Sequence, residues 1–346
     1  MRAIAIDESI SKEYAAVREN GAGLLDLSSQ GRILVSGPEA VMFLNGLITN
    51  DMKTLAPNSW MQAAFPNVQG RLLAVVRILN CEDGFLIDTE AATRQKVMQL
   101  LDRFTLAGDF RVADLTNQIS CFSVQGRKAA TVISKLLDSS SDVSRKHVCR
   151  AKINQFDVTI IRATHTGEDG FDLFIDVGVA DALRRELINA GAETLSEATA
   201  EILRIEAGIA RYGVDIDEST IVTETNLDDA VSFTKGCYVG QEIIVRIKHR
   251  GHVAKKITGL TFDQPVEVQN GAKILSVDGK EIGRITSATF SPGLNQTIAL
   301  GYVKYDYLTP GTELVISGVS GVVADLPFVR GSWYDDSLGP ERGASA

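Results

Sequence analysis

Residues 231–252 read Val-Ser-Phe-Thr-Lys-Gly-Cys-Tyr-Val-Gly-Gln-Glu-Ile-Ile-Val-Arg-Ile-Lys-His-Arg-Gly-His, and they hold the side chains best suited to chemistry. Cys237 lies between Gly236 and Gly240, with Lys235 two positions upstream. Glycine lets backbone or ligand approach closely, and a nearby cation favours the thiolate, the form of cysteine that attacks or ligates. From Lys235 to Lys256 there are six Lys or Arg and one acid, Glu242. In a chain of net charge −9 that local excess suits an anionic ligand. Plainer readings stand beside these. A lone cysteine is commonly a small core residue, and a basic run is commonly a solvated face. His249 and His252 serve Cys237 as a base only if the fold brings them within reach.

The elements that must position this segment form two textures. Up to residue 250, strands and helices mix. Gly31–Val35 reads as a strand, and Ser36-Gly37-Pro38 supplies a cap and a helix-starting proline for Val41, Leu44, Leu47 and Ile48 at helical spacing. Trp60–Phe65 and Leu72–Leu79 read as strands joined by a turn at residues 66–70. Ala91–Phe104 carries Val97, Leu100, Leu101 and Phe104 on one helical face. Strands near 110–115, 119–124, 158–163 and 171–177 alternate with helices near 127–137, 180–190 and 197–208. Beyond Gly251, short runs at 256–262, 272–276, 283–290, 298–303 and 313–316 are punctuated by turns, which predicts a small antiparallel β-barrel. The expected division is 1–250 as an α+β region of two intertwined domains, 251–330 as the barrel, and 331–346 as a loose tail rich in Gly, Ser and Asp.

Composition narrows the function classes. At 45% hydrophobic and 23% charged over 346 residues, the chain can bury sizeable cores. The acidic balance opposes broad binding to nucleic acid, which needs clustered Lys and Arg. The four cysteines, Cys81, Cys121, Cys149 and Cys237, are scattered without a CxxC, a pattern that fits a reducing compartment and offers neither a zinc site nor a disulfide framework. The spacing points to no metal ligands. No stretch reaches the about 18 apolar residues needed to span a bilayer, and the start carries acids rather than a signal sequence. A cytoplasmic protein is expected.

Lys235-Gly-Cys-Tyr-Val-Gly-Gln-Glu242 resembles the K-G-C-[YF]-x-G-Q-E signature of the YgfZ family. The cysteine distinguishes that family from the related glycine-cleavage T-proteins. Leu47-Ile-Thr-Asn-Asp51 is similar to the L-x-T-N-D element that both share. Thr166–Asp172 is similar to their T-G-E-D-G-[YF]-E turn, and Leu203–Gly208 with Arg211-Tyr-Gly213 to their L-R-[IL]-E-A-G stretch. The resemblance implies three domains around a central cavity that holds tetrahydrofolate. It implies a role in assembling or maintaining iron–sulfur clusters in client enzymes, radical-SAM enzymes among them, with Cys237 as the key residue. Lys235, Gly236, Tyr238, Gly240, Gln241 and Glu242 complete the motif. Asp172, Glu224, Asn226 and Arg246 are the expected folate contacts.

The T-protein transfers an aminomethyl carbon to tetrahydrofolate with an aspartate that follows a G-G-x-[IV]-D-D turn. Here the corresponding stretch is Gly70-Arg-Leu-Leu-Ala-Val75, so Ala74 and Val75 stand where the acids would be. A methyl group cannot accept a proton, which argues for an accessory factor over an aminomethyltransferase. A folate-dependent one-carbon transferase and a non-catalytic client-docking adaptor remain the alternatives. Asp172 is one methylene shorter than the usual Glu, and Ala200 falls where the T-proteins carry an arginine.

Overall fold

The computed structural model describes residues 7–103, 108–137, 143–262 and 266–335. The chain opens with α1 (Glu8–Ala15), β1 (Ala22–Asp26), β2 (Gly31–Ser36) and α2 (Ala40–Leu47). Then come β3 (Trp60–Pro66), β4 (Leu72–Cys81), β5 (Gly84–Thr89), α3 (Arg94–Asp102) and β6 (Arg111–Asp114). The next stretch holds β7 (Ile119–Gln125), α4 (Ala129–Ser134), β8 (Val148–Ile153), β9 (Phe156–Arg162) and β10 (Gly170–Asp176). α5 (Ala180–Asn189), β11 (Ala192–Thr194), α6 (Glu197–Glu206) and α7 (Gln241–Arg250) lead to the last six strands. These are β12 (Lys255–Phe262), β13 (Lys273–Ser276), β14 (Glu281–Ser291), β15 (Gln296–Lys304), β16 (Glu313–Ile316) and β17 (Val319–Ala324).

The strands make three sheets, all antiparallel except the β1–β11 pair. One has five strands in the order β3-β4-β5-β2-β6, a second has six in the order β11-β1-β7-β10-β9-β8, and β12–β17 close into a barrel. Alternation along β4 explains how the first two meet. Ala74, Val76 and Ile78 face the core under α2 and α3 with Ile33, Leu44 and Phe65. On the other face of β4, Leu79 packs with Leu86 against Cys121, Ile161 and Phe174 of the six-stranded sheet. The barrel closes on its own interior of Leu260, Ile274, Ile285 and Val303. Its outer face, through Ile257, Leu300 and Tyr302, covers Ile205 of α6.

The expected barrel is present as a closed structure, and the α+β content is as read from the sequence. The helix expected over Ala91–Phe104 begins as a 3-10 turn at Ala91–Thr93 and continues as α3, and Phe104 lies outside the described residues. The clearest addition is α7. Its β-branched run Ile243-Ile244-Val245 resembles a strand, but left-handed glycines bound it at both ends, Gly240 (φ 77°) and Gly251 (φ 97°), and Ile244 is buried among Leu72, Tyr212 and Val222. Of the expected tail at 331–346, residues 331–335 are described. Ser332–Tyr334 forms a short 3-10 turn, the backbone N and Oγ of Ser332 both donate to Glu168 at 2.7 Å, and the Arg145 guanidinium lies 4.2 Å from the centre of the Trp333 ring. The rest of that tail, 336–346, lies outside the described residues.

Candidate functional site

The motif loop is seated on the end of α2. Ser232 N donates to Thr49 O at 3.0 Å and Val239 N to Gly46 O at 3.1 Å, while Thr49 Oγ1 donates to Ala230 O at 2.6 Å. Lys235 is the anchor. Its ammonium donates to the carbonyls of Asn45 (2.7 Å) and Ile48 (2.9 Å), at the helix end where carbonyls lack intrahelical partners, and of Asn50 (2.7 Å) just past it. Burial pushes its pKa down to about 8, against the pull of Asp51. Lys235, expected to lend its charge to Cys237, places its ammonium on these carbonyls. The Leu47–Asp51 element is the socket for the loop, and Asn50 Nδ2 ties it to both Gln62 O and Asp229 O.

The motif residues divide by role. Cys237 is exposed, whereas Cys121 and Cys149 are buried. A side chain on Gly240 would come 2.3 Å from Asn67 O, whereas one on Gly236 would meet nothing within 4 Å, so only Gly240 is required by packing. Tyr238 is buried in the cluster against which Val75 packs, and its hydroxyl has no hydrogen-bond partner. Gln241 opens α7, and Glu242, exposed in its first turn, suits the positive end of the helix. Arg246 is exposed on the same helix. His252 stacks on Tyr305 with ring centres 4.0 Å apart, which commits it to the barrel rather than to Cys237.

A second set of residues bridges the two open sheets. Arg32 on β2 pairs with Asp88 on β5 at 2.7 Å. Arg77 on β4 donates through Nε to Asp88 at 2.7 Å and through Nη1 to Asp172 on β10. Asp172 also meets His165 Nε2 at 2.9 Å. Burial works against the Asp172 carboxylate, yet His165 and Arg77 hold it well below the usual carboxylate range. Asp172, expected as a folate contact, is fully buried, and its oxygens are engaged by Arg77 and His165. The part of this chain that reaches accessible surface is His165, with 26% of its side chain exposed. Val75 and Arg77 share one face of β4. The position where the resemblance places a T-protein acid thus lies between the Tyr238 cluster and the Arg77–Asp172–His165 chain.

The remaining expected contacts stand elsewhere. Glu224 accepts from Ile221 N at 3.2 Å, and burial raises its pKa while Lys255 and Arg71 oppose the rise. Asn226 is exposed. Sequence reasoning missed Arg77 and His165. The available signals were an arginine inside the apolar run of β4 and a histidine in the turn seven residues before Asp172.

Two α+β sheets locked by a buried charge chain, with a six-stranded barrel against α6, define a three-part fold of the T-protein class. The chain belongs to the glycine cleavage T-protein family: residues 3–235 match the GCVT N-terminal domain and residues 255–335 match the glycine cleavage T-protein C-terminal barrel domain. An aminomethyltransferase of Rubrobacter xylanophilus is 31% identical over 340 residues, 97% of this chain and 89% of that protein. One of Aquifex aeolicus is 33% identical over 328 residues, 93% and 88%. Among solved structures, the glycine cleavage system aminomethyltransferase T of Bartonella henselae is similar with a TM-score of 0.85 at 26% identity, covering 93% of this chain and 90% of that one. Membership supports tetrahydrofolate as the ligand. The residues present fit such a heterocycle: the buried, unpartnered Tyr238 hydroxyl is a free donor beside the apolar Val75, and His165 offers a ring nitrogen.

Proposed function

We propose that this chain is a tetrahydrofolate-binding member of the YgfZ type, and that it supports the assembly, maintenance or repair of iron–sulfur clusters in client enzymes through Cys237. The observation that carries this reading is the pairing of an exposed Cys237 with a loop fixed by a buried lysine, which presents a thiol on a rigid support. Exposed apolar side chains stand on the loop and on the elements that seat it. Phe233 is on the loop, Met42 is one turn from Gly46 on α2, and Val68 is in the turn beside Gly240. Such a patch suits docking of a client protein. Ala74 is buried in the sheet core and Val75 packs against an apolar cluster, so neither supplies the carboxylate that aminomethyl transfer would use. The test is rescue of a strain lacking the gene, scored by [4Fe–4S] enzyme activity in extracts. Wild type should restore activity and Cys237→Ala should not. Equal rescue by both proteins removes the thiol from the reading.

A folate-dependent one-carbon transferase is the second reading, and the relatives favour it, since those named above are aminomethyltransferases aligned over nearly the whole chain. Bound tetrahydrofolate would supply the nitrogens that carry a one-carbon unit. Tyr238 and His165 would orient it, and His165, backed by Asp172, would hold or move a proton in place of the missing acid. Formation of methylene-tetrahydrofolate from an aminomethyl donor, lost in His165→Gln, would establish this reading. Absence of turnover across a panel of such donors would remove it.

A further inference from the structure

A cavity of about 380 Å³ lies on the outer face of the barrel, where β12, β14 and β15 meet the turn at residues 217–220. Lys255, Arg284, Tyr302 and Lys304 line it, with Ser219 at the mouth. The strand register makes this cluster unusual. Lys255 and Lys304 are direct antiparallel partners, and Arg284 is the partner of Tyr302 on the neighbouring strand pair. Like charges set directly opposite one another across a sheet destabilise it. Three cations from three adjacent strands therefore share one wall, in a chain whose overall charge is negative.

Four acids stand nearby, Glu281 on the lining and Glu224, Asp215 and Asp217 around Tyr302, and each has another partner; Asp215 pairs with Arg204 at 2.8 Å. Arg284 meets Asp217 only at 3.7 Å, and Asp217 is already bound by Ser219. Glu281 also lines the cavity, but its carboxylate pairs with Lys273. Lys304 reaches only the Glu281 backbone carbonyl, at 2.9 Å. Lys255 lies 4.9 Å from the centre of the Tyr302 ring, and the buried Glu224 is the acid that acts on it. Tyr302 adds an independent sign. It is 1% exposed, and its hydroxyl sits beside Thr220, the side chain nearest to partnering it, with no partner in full hydrogen-bond geometry among the described residues. A buried hydroxyl left without a partner costs stability, and an acceptor placed in the cavity would remove that cost. Arg71 Nη1 holds the turn in place by donating to Ser219 O at 3.1 Å.

We propose that this cavity binds a compact oxyanion, a phosphate or a carboxylate-bearing small molecule, through the ammonium groups of Lys255 and Lys304, the Arg284 guanidinium and the Tyr302 hydroxyl. The site is separate from the motif loop and from the Asp172 chain, and it does not rest on either functional reading.

The experiment is calorimetry and thermal unfolding of the full chain with inorganic phosphate and, separately, with glutarate, each at ionic strength matched by chloride. Wild type, Lys304→Ala and Tyr302→Phe are compared. The expected result is binding of at least one anion at or below about 1 mM, weakened about tenfold in each variant, and the anion preferred names the source. Tyr302→Phe keeps the ring packing and removes an unsatisfied group, so its anion-free unfolding midpoint should equal or exceed that of wild type. If wild type binds neither anion at about 10 mM, or if either variant binds as tightly as wild type, the proposal is overturned.

Discussion

Arg77 on β4 and Asp172 on β10 form an ion pair across the seam between the five- and six-stranded sheets, where the surrounding contacts are apolar. A buried pair is held by the cost of breaking it more than by its own attraction. Removing Asp172 leaves Arg77 with Asp88 as its remaining partner, so Asp172→Asn should lower stability at pH 7 by about 1.5–3 kcal/mol, the range for a hydrogen bond to a charged group. The pH dependence has a definite sign. Asp172 has a pKa below its ordinary 3.8 in the folded protein, so its contribution is complete above that value and is lost as pH falls through the lower, folded one. Denaturant unfolding from pH 7 down to the acid limit should show a shallower acid limb in Asp172→Asn. Identical limbs would mean that Asp172 is not held as described.

Lys235 gives a second measurable consequence. Lys235→Met leaves three carbonyls at and just past the end of α2 without their donor, and should cost about 2 kcal/mol. The sign of its pH effect is the same as in the aspartate case, because both folded pKa values are lowered, but the window lies at alkaline pH. Its pKa is about 8 in the folded protein against an ordinary 10.5, so the unfolded chain binds more protons between those values and wild-type stability should rise across that window. The variant should lack the rise. Comparing urea midpoints at pH 7.5 and at about pH 10 tests both points.

The two motif glycines should respond differently to the same change. Gly240→Ala forces a side chain against Asn67 O in a left-handed backbone, and should destabilise by about 2 kcal/mol or more. Gly236→Ala meets open space and should shift stability by less than about 0.5 kcal/mol. Thermal unfolding of both variants is sufficient. Any loss of client rescue in Gly236→Ala would then report on access to Cys237 rather than on folding.

Thiol labelling separates the cysteines. Cys237 should react with an aromatic disulfide reagent in the native protein at a rate near that of a free thiol. Cys121, pushed up to about 12 by burial, should react only after unfolding. Mass-spectrometric mapping of the first labelled site checks this, and labelling of Cys121 ahead of Cys237 would contradict the structure.

Much of the fold was legible because hydrophobic period and turn residues are local signals. The barrel strands β12–β16, together with β3, β4, β10 and the core of α6, lie where periodicity puts them. β1, β5, β8, β11 and β17 were missed, as strands whose identity comes from pairing across the sheet. Within the site, Cys237 and Gly240 were legible because a motif is contiguous. The partner of Asp172 was not, since Arg77 is 95 residues away and only the meeting of two sheets brings them together. The contacts of Lys235 were hidden for the same reason. Its neighbour in sequence is Cys237, but its neighbours in space are the carbonyls of Asn45, Ile48 and Asn50.

Arg18 carries the longest-range structural consequence. It sits in a π-helical turn after α1 and binds Glu168 at 3.0 Å and Glu206 at 2.8 Å. Glu206 also accepts from Tyr14 at 2.9 Å and from Ser291 of the barrel at 2.5 Å, and Glu168 accepts from Ser332. One guanidinium thus joins the N-terminal helix, the turn before β10, α6, the barrel and the C-terminal segment. Arg18→Met would leave two carboxylates buried without their cation, and should cost about 3–5 kcal/mol. Because Ser332 depends on Glu168, the variant should also release the segment around Trp333. Limited proteolysis should then cut near residues 330–335 in Arg18→Met before wild type is touched, and fluorescence should report Trp333 entering water at a denaturant concentration below that of global unfolding. Release of Trp333 only together with the main transition would show that the segment is held by Arg145 and Trp333 stacking instead of by the Arg18 network.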